Sequence, residues 1–302
     1  MRAKATFRAA ATSLIAVLAA VLMVGGPAAP AAAAGSSNTL CISQDASGRI
    51  SILAGAVLQA GPVVKVKVAS AYSQADPEIF QLRNGATLAQ MDVKITEAGQ
   101  GGQVAADAMK WFLQNTTFYG GLSAQGSVRF DLVMPPGNYY VAQLRPVPAN
   151  NIWPSTTARS FKVSGTPRAI QPYADQKLTM TDAGGVDRFS WLSTTGSLHN
   201  GPITIANRTG GIGNPLGELH FAQFTQVAGS TTDAQIQAWL AGGPPPVFVG
   251  GAYNFGTLSP QRPAHVYLNV PPGRYAVLSW IPDKDTGTPH ALEGMYLLVD
   301  IV

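Results

Sequence analysis

The chain repeats itself at a fixed offset of 136 residues, and this constrains its fold more than any other feature. LSAQGSVRFDLVMPPGNYYVAQL, from Leu122 to Leu144, lies without gaps over LSPQRPAHVYLNVPPGRYAVLSW, from Leu258 to Trp280. Leu, Ser, Gln, Leu, Pro-Pro-Gly, Tyr and Val recur at the same points, so one structural unit is built twice. In each copy apolar residues alternate with polar ones. Val128, Phe130, Leu132 and Met134 do so in the first, and Ala264, Val266, Leu268 and Val270 in the second. That is the period of a half-buried strand, and the Pro-Pro-Gly after it turns the chain into a second strand. Each copy therefore predicts antiparallel strands of a β-sandwich with one short helix. The helices are expected at Asp107 to Leu113 and at Asp233 to Leu240, where Thr231-Thr232-Asp233 with Gln235 forms a start signal.

The N-terminus reads separately. Arg2, Lys4 and Arg8 precede an apolar run, Ser13 to Val24, and then a small-residue tract. Residues 1–34 have the form of a secretory signal peptide cut after Ala34. The expectation is a secreted, soluble chain with no membrane span after signal removal. Loss of three basic residues takes the formal charge from +4 to about +1, which removes the argument for nucleic acid. Cys41 is the only cysteine, so no internal disulfide exists and packing must hold the fold. The repeat divides the rest into residues 41–166 and 174–302, joined near GTPRAIQPY.

The candidate chemistry lies in the second unit. Glu218-Leu219-His220-Phe221 follows a strand and a Gly-rich loop. The end of the chain reads Tyr275-x3-Ser279, a Pro/Asp/Gly loop, His290 and then Gly294-Met295. From Phe189 to Val302 this pattern resembles the plastocyanin and azurin type of cupredoxin. In that family His, Cys, His and Met bind copper. The resemblance implies an all-β Greek-key sandwich in tandem copies and places His220, His290 and Met295 at ligand positions. Ser279 stands at the position of the thiolate. A serine hydroxyl is neutral and hard, so blue-copper electron transfer is not expected. The cofactor expectation is copper or none.

By the repeat register the corresponding positions in the first unit are Met91, Gln143, Pro154 and Arg159, a set with no histidine. Hence the first copy is expected to be a metal-free, degenerate cupredoxin-like domain. The functional expectation is an exported, non-enzymatic protein that binds or handles copper weakly through its second domain. The competing class is a metal-free interaction module of the envelope or extracellular space, whose partner the sequence does not name. A Ser279, His290 and Asp283 set suggests hydrolysis on paper, but no G-x-S-x-G elbow accompanies it. His265 shares the polar face of its strand with Tyr267, which predicts a solvated position.

Overall fold

A computed structural model describes residues 38–54, 58–60, 63–122, 126–166, 172–182, 187–193, 197–211 and 216–302. The segment read as a signal peptide, the centre of the expected join and residues 212–215 of the Gly-rich loop lie outside them. Among the described residues no helix is long and apolar enough to cross a membrane.

The chain is predominantly β, in two sheets. The first unit supplies β1 (Thr39–Gln44), β2 (Ile50–Ala54), β3 (Leu58–Gln59), β4 (Val64–Ser70) and β5 (Pro77–Leu82). Its later strands are β6 (Thr116–Gly121), β7 (Gly126–Leu132), β8 (Gly137–Gln143) and β9 (Arg159–Ser164). The second repeats the plan with β10 (Gln176–Thr181), β11 (Arg188–Ser193), β12 (Gly201–Asn207) and β13 (His220–Val227). It continues with β14 (Phe248–Leu258), β15 (Pro263–Leu268), β16 (Gly273–Leu278) and β17 (Tyr296–Ile301). The alternation that predicted β7 and β15 appears in their burial, with Val128, Phe130 and Leu132, and then Ala264, Val266 and Leu268, all inward. The conserved spacing within the repeat has a bonded cause. Tyr139 donates its hydroxyl to Pro135 O at 2.6 Å and Tyr275 donates to Pro271 O at 2.6 Å, so each Pro-Pro-Gly turn is tied to the strand it launches.

The two units share both sheets. One sheet runs β11-β10-β12-β15-β7-β4-β1-β2 and the other β17-β16-β13-β14-β6-β5-β8-β9-β3. At the seam, repeat-equivalent strands pair antiparallel: Val266 of β15 lies opposite Phe130 of β7, and Leu258 of β14 opposite Tyr119 of β6. Phe130 and Val266 are themselves equivalent in the repeat, so the seam has an approximate two-fold axis through that pair, like the self-complementary interface of a symmetric dimer. A single apolar cluster, from Leu40 to Ile301, fills the space between the sheets across both units.

His265 is a correction. It is buried, and its Nδ1 lies 2.9 Å from Thr204 Oγ1, because β15 is an interior strand between β12 and β7 rather than an edge open to water.

The helix expected at Asp233–Leu240, α4 below, forms as read, with Thr232 and Gln235 making the capping box. The first unit holds more helix than one short segment. Its insertion between β5 and β6 contains α1 (Leu88–Ala98), capped by Thr87 and Gln90, and α2 (Gly102–Asn115). A single turn, α3 (Pro154–Thr157), precedes β9, and α4 (Asp233–Leu240) lies between β13 and β14. Helices α1 and α2 pack over Phe80 and Phe118 of their own unit, and the same cluster takes in Leu219 and Ile281 of the other. Lys110 of α2 also reaches Asp285 at 3.7 Å. The insertion of the first unit thus walls the loop that carries the candidate ligands of the second.

Candidate metal centre

His220 opens β13, and its imidazole is fully buried. Ser279 follows β16, and His290 begins a 3-10 turn, His290–Glu293, that is pinned by two backbone bonds: His290 N to Ile281 O at 3.0 Å and Ala291 N to Ser279 O at 2.8 Å. These bonds fold the Pro/Asp/Gly loop back on itself and bring both histidines together, with ring centroids 4.4 Å apart. Ser279 Oγ is 3.5 Å from His220 Nδ1. Three of the expected positions therefore meet: His220, Ser279 and His290. Met295 is buried in the main apolar cluster, with its backbone N–H donated to His290 O at 2.9 Å.

The sequence reading missed a fourth participant. Asp187, at the end of the β10–β11 connection, places Oδ2 2.9 Å from His290 Nδ1 and Oδ1 3.7 Å from His220 Nε2. Asp187, His220 and His290 offer ligand atoms that all lie within 4.8 Å of one another. A second group, Glu218, Asp283 and His290, shares one histidine with the first. There Lys284 Nζ lies 2.7 Å from Glu218, so that carboxylate already has a cation partner.

The hydrogen-bond accounting is incomplete at this point of the molecule. His220 Nε2, both ring nitrogens of His290 and Asp187 Oδ1 are buried without an aligned hydrogen-bond partner. Asp187 is the shared neighbour of both rings, while His290 Nε2 has no close hydrogen-bond partner in an interior where buried polar atoms are nearly always satisfied. Burial also sets the charges. It pushes the His220 imidazole down to about 4, so the ring is neutral at physiological pH. Burial raises the Asp187 carboxyl, but the two adjacent imidazoles outweigh it and hold the group below the usual carboxylate range. Burial pushes Glu218 up to about 7, against the opposing pull of Lys284. A neutral His220 ring beside an ionised Asp187 carboxylate matches the protonation states that a cation requires of such ligands.

These donors suit copper as an imidazole and oxygen ligand set that contains no thiolate. In the first unit the same place is filled with carbon. Strand pairing across β5–β8 and β13–β16 makes Ala75, not Met91, the counterpart of His220; Met91 lies in α1 under the helical cluster. Pairing across β8–β9 and β16–β17 makes Thr157, not Arg159, the counterpart of Met295, because the preceding loops differ in length. Pairing of β1 with β2 and of β10 with β11 sets Gly48 opposite Asp187. Tyr72, Ala75 and Ile152 pack there as an apolar cluster. A side chain at Gly48 would meet Ile152 Cδ1 at 2.9 Å. Gln143, opposite Ser279, is held by Gln44, Gln74 and Arg145, with hydrogen bonds of 2.6–2.9 Å.

No family model and no curated protein matches the chain. Among solved structures it is similar to auracyanin B at 17% identity, over 44% of this chain and 93% of that one, with a TM-score of 0.25. It is similar to the reduced auracyanin of Roseiflexus castenholzii at 12% identity, over 42% and 96%, with a TM-score of 0.23. A multi-copper oxidase from Pediococcus acidilactici matches at 9% identity over 87% of this chain and 58% of that one, with a TM-score of 0.24. The two-sheet sandwich itself is read from the strand order and pairing, independently of these likenesses.

Proposed function

We propose that this is an exported, non-enzymatic cupredoxin-like protein that captures copper through His220 and His290 of its second unit and does not pass electrons through a blue centre. The observation that supports this reading is the pair of fully buried imidazoles, ring centroids 4.4 Å apart, gathered around the one carboxylate of Asp187. A buried cluster of two imidazoles and a carboxylate costs stability through desolvation unless a bound cation offsets that cost. Copper fits their donor type, and Irving–Williams order favours it over other divalent ions at such a site.

An enzymatic role finds little support. Ser279, His220 and Asp187 stand in a string, but Ser279 has no accessible surface, so no substrate carbonyl reaches its hydroxyl. The proposed triad of Ser279, His290 and Asp283 is further weakened because Ser279 faces His220.

Metal analysis of the purified chain after copper loading and desalting tests the proposal. One copper per chain, lost on His220→Ala or His290→Ala, is the expected result. No copper retained in either oxidation state would leave the interaction module as the reading. The exposed Trp191 and Leu192 on edge strand β11 are then the first surface to probe.

A further inference from the structure

We infer that Asp187 supplies the anionic donor of the site, so that the second unit holds a divalent cation on two imidazoles and one carboxylate rather than Cu(I) on imidazole and thioether. This inference rests on the copper-capture reading and specifies its ligands and oxidation state.

A cation moved into a buried site is costly unless a negative group goes with it. The cysteine thiolate of the resemblance is absent at Ser279, and of the residues around the two rings Asp187 is the carboxylate nearest to both. Its alternatives are committed elsewhere: Glu218 to Lys284 at 2.7 Å, and Glu293 to the Thr286 hydroxyl at 2.5 Å. Asp187 faces only the two rings, with Oδ2 2.9 Å from His290 Nδ1 and Oδ1 3.7 Å from His220 Nε2 and in no aligned hydrogen bond.

Geometry agrees with charge. Asp187 reaches the rings from the β10–β11 connection, whereas His220 and His290 come from the other sheet and its loop. The three donors therefore approach from opposite layers of the sandwich, which is how a cavity encloses an ion. Within the molecule the first unit serves as the comparison. There the carboxylate position is Gly48 and the His220 position is Ala75, with Ile152 packed against both, so a ring and the carboxylate are absent together. Carboxylate oxygen is a hard donor and imidazole a borderline one, a set that suits Cu(II) and Zn(II). Met295, packed in the main cluster, then acts as an apolar wall.

The test compares affinities of the full chain for Cu(II), Zn(II) and chelator-buffered Cu(I), with Cu(II) electron paramagnetic resonance as a second readout. The wild type is expected to bind Cu(II) most tightly, then Zn(II), and Cu(I) least. Asp187→Asn keeps the shape and removes the charge, and is expected to weaken Cu(II) binding by about 10–100-fold and to alter the resonance spectrum. Asp187→Glu, which keeps the charge, is expected to retain more affinity than Asp187→Asn. Met295→Leu is expected to change Cu(II) affinity by less than about threefold. Unchanged Cu(II) affinity and spectrum in a folded Asp187→Asn variant would overturn the inference while leaving copper capture intact. Tighter Cu(I) than Cu(II) binding, lost in Met295→Leu, would do the same. A wild type that holds none of the three ions overturns both.

Discussion

Ser279 is the residue on which the copper chemistry turns. It is buried beside His220, so a cysteine there would be held near the same rings. A Ser279→Cys variant loaded with Cu(II) is expected to develop an intense visible charge-transfer band, because a thiolate is the donor that produces it. A folded, copper-loaded variant that stays colourless would contradict the convergence of these side chains. His265 supports a different prediction. Burial lowers its pKa, so the folded state binds a proton less readily than the unfolded one and this group's contribution is present above the unfolded value. It is lost as pH falls through the lower folded value. Across the seam Asp131 faces His265, and Lys65 and Arg129 act on that carboxyl. The stability difference between the metal-free wild type and His265→Gln, from urea titrations, is therefore expected to shrink between about pH 7 and about pH 5. A constant difference would count against a neutral, buried ring. At this scale the sequence was partly legible. His220 and His290 carried a motif, but Asp187 lies outside it in a strand connection, and only the folding of β10–β11 toward the ligand loop brings it in. His265 alternates as a surface residue should, and alternation within one strand cannot show that a neighbouring unit covers the polar face.

At the scale of elements, the ends of helices are more readable than their surroundings. Thr232 and Gln235 signalled α4, and Thr87 with Gln90 forms the same box at α1, a signal present in the chain but not used to place a helix. Thr232→Ala is expected to cost about 1 kcal/mol in urea unfolding, since it removes the acceptor for Gln235 N. An unchanged midpoint would show that packing of Ile236 and Trp239 alone holds the helix. The ligand loop meets the helical insertion at Gly287, which sits at φ 68° with its α-carbon against the backbone of Gly102. A methyl group there overlaps Gly102 O and also strains the left-handed backbone, by about 1–2 kcal/mol for the latter alone. Gly287→Ala is expected to loosen the wall and speed copper release to a competing chelator. Release at the wild-type rate would show that the insertion does not control access. The repeat did not foretell this contact, because the connection between β5 and β6 is longer and holds two helices where that between β13 and β14 holds α4 alone.

At the scale of the whole molecule, two units of one strand plan differ at the place where the second gathers His220, His290 and Asp187. Both copies keep the Pro-Pro-Gly turn, the tyrosine bond and the inward strands, and these were the features legible as a repeat. One unit gathers His220 and His290; the other packs Ala75 and Ile152 in the corresponding region, and its helices lie against the loop of the former. The continuous sheets make the halves one body, which the repeat alone could not disclose, since pairing of β7 with β15 is a relation between copies. Chemical unfolding of the metal-free chain is therefore expected to be a single transition by both tryptophan fluorescence and circular dichroism. Two separated transitions would mean that the seam contributes little. The most direct test of the central claim is anomalous scattering at the copper edge from crystals soaked in Cu(II). One peak per chain, bounded by His220, His290 and Asp187, with none at Gly48, Ala75 and Ile152, is the expected result. A peak at another site, or none at those three side chains, would contradict it.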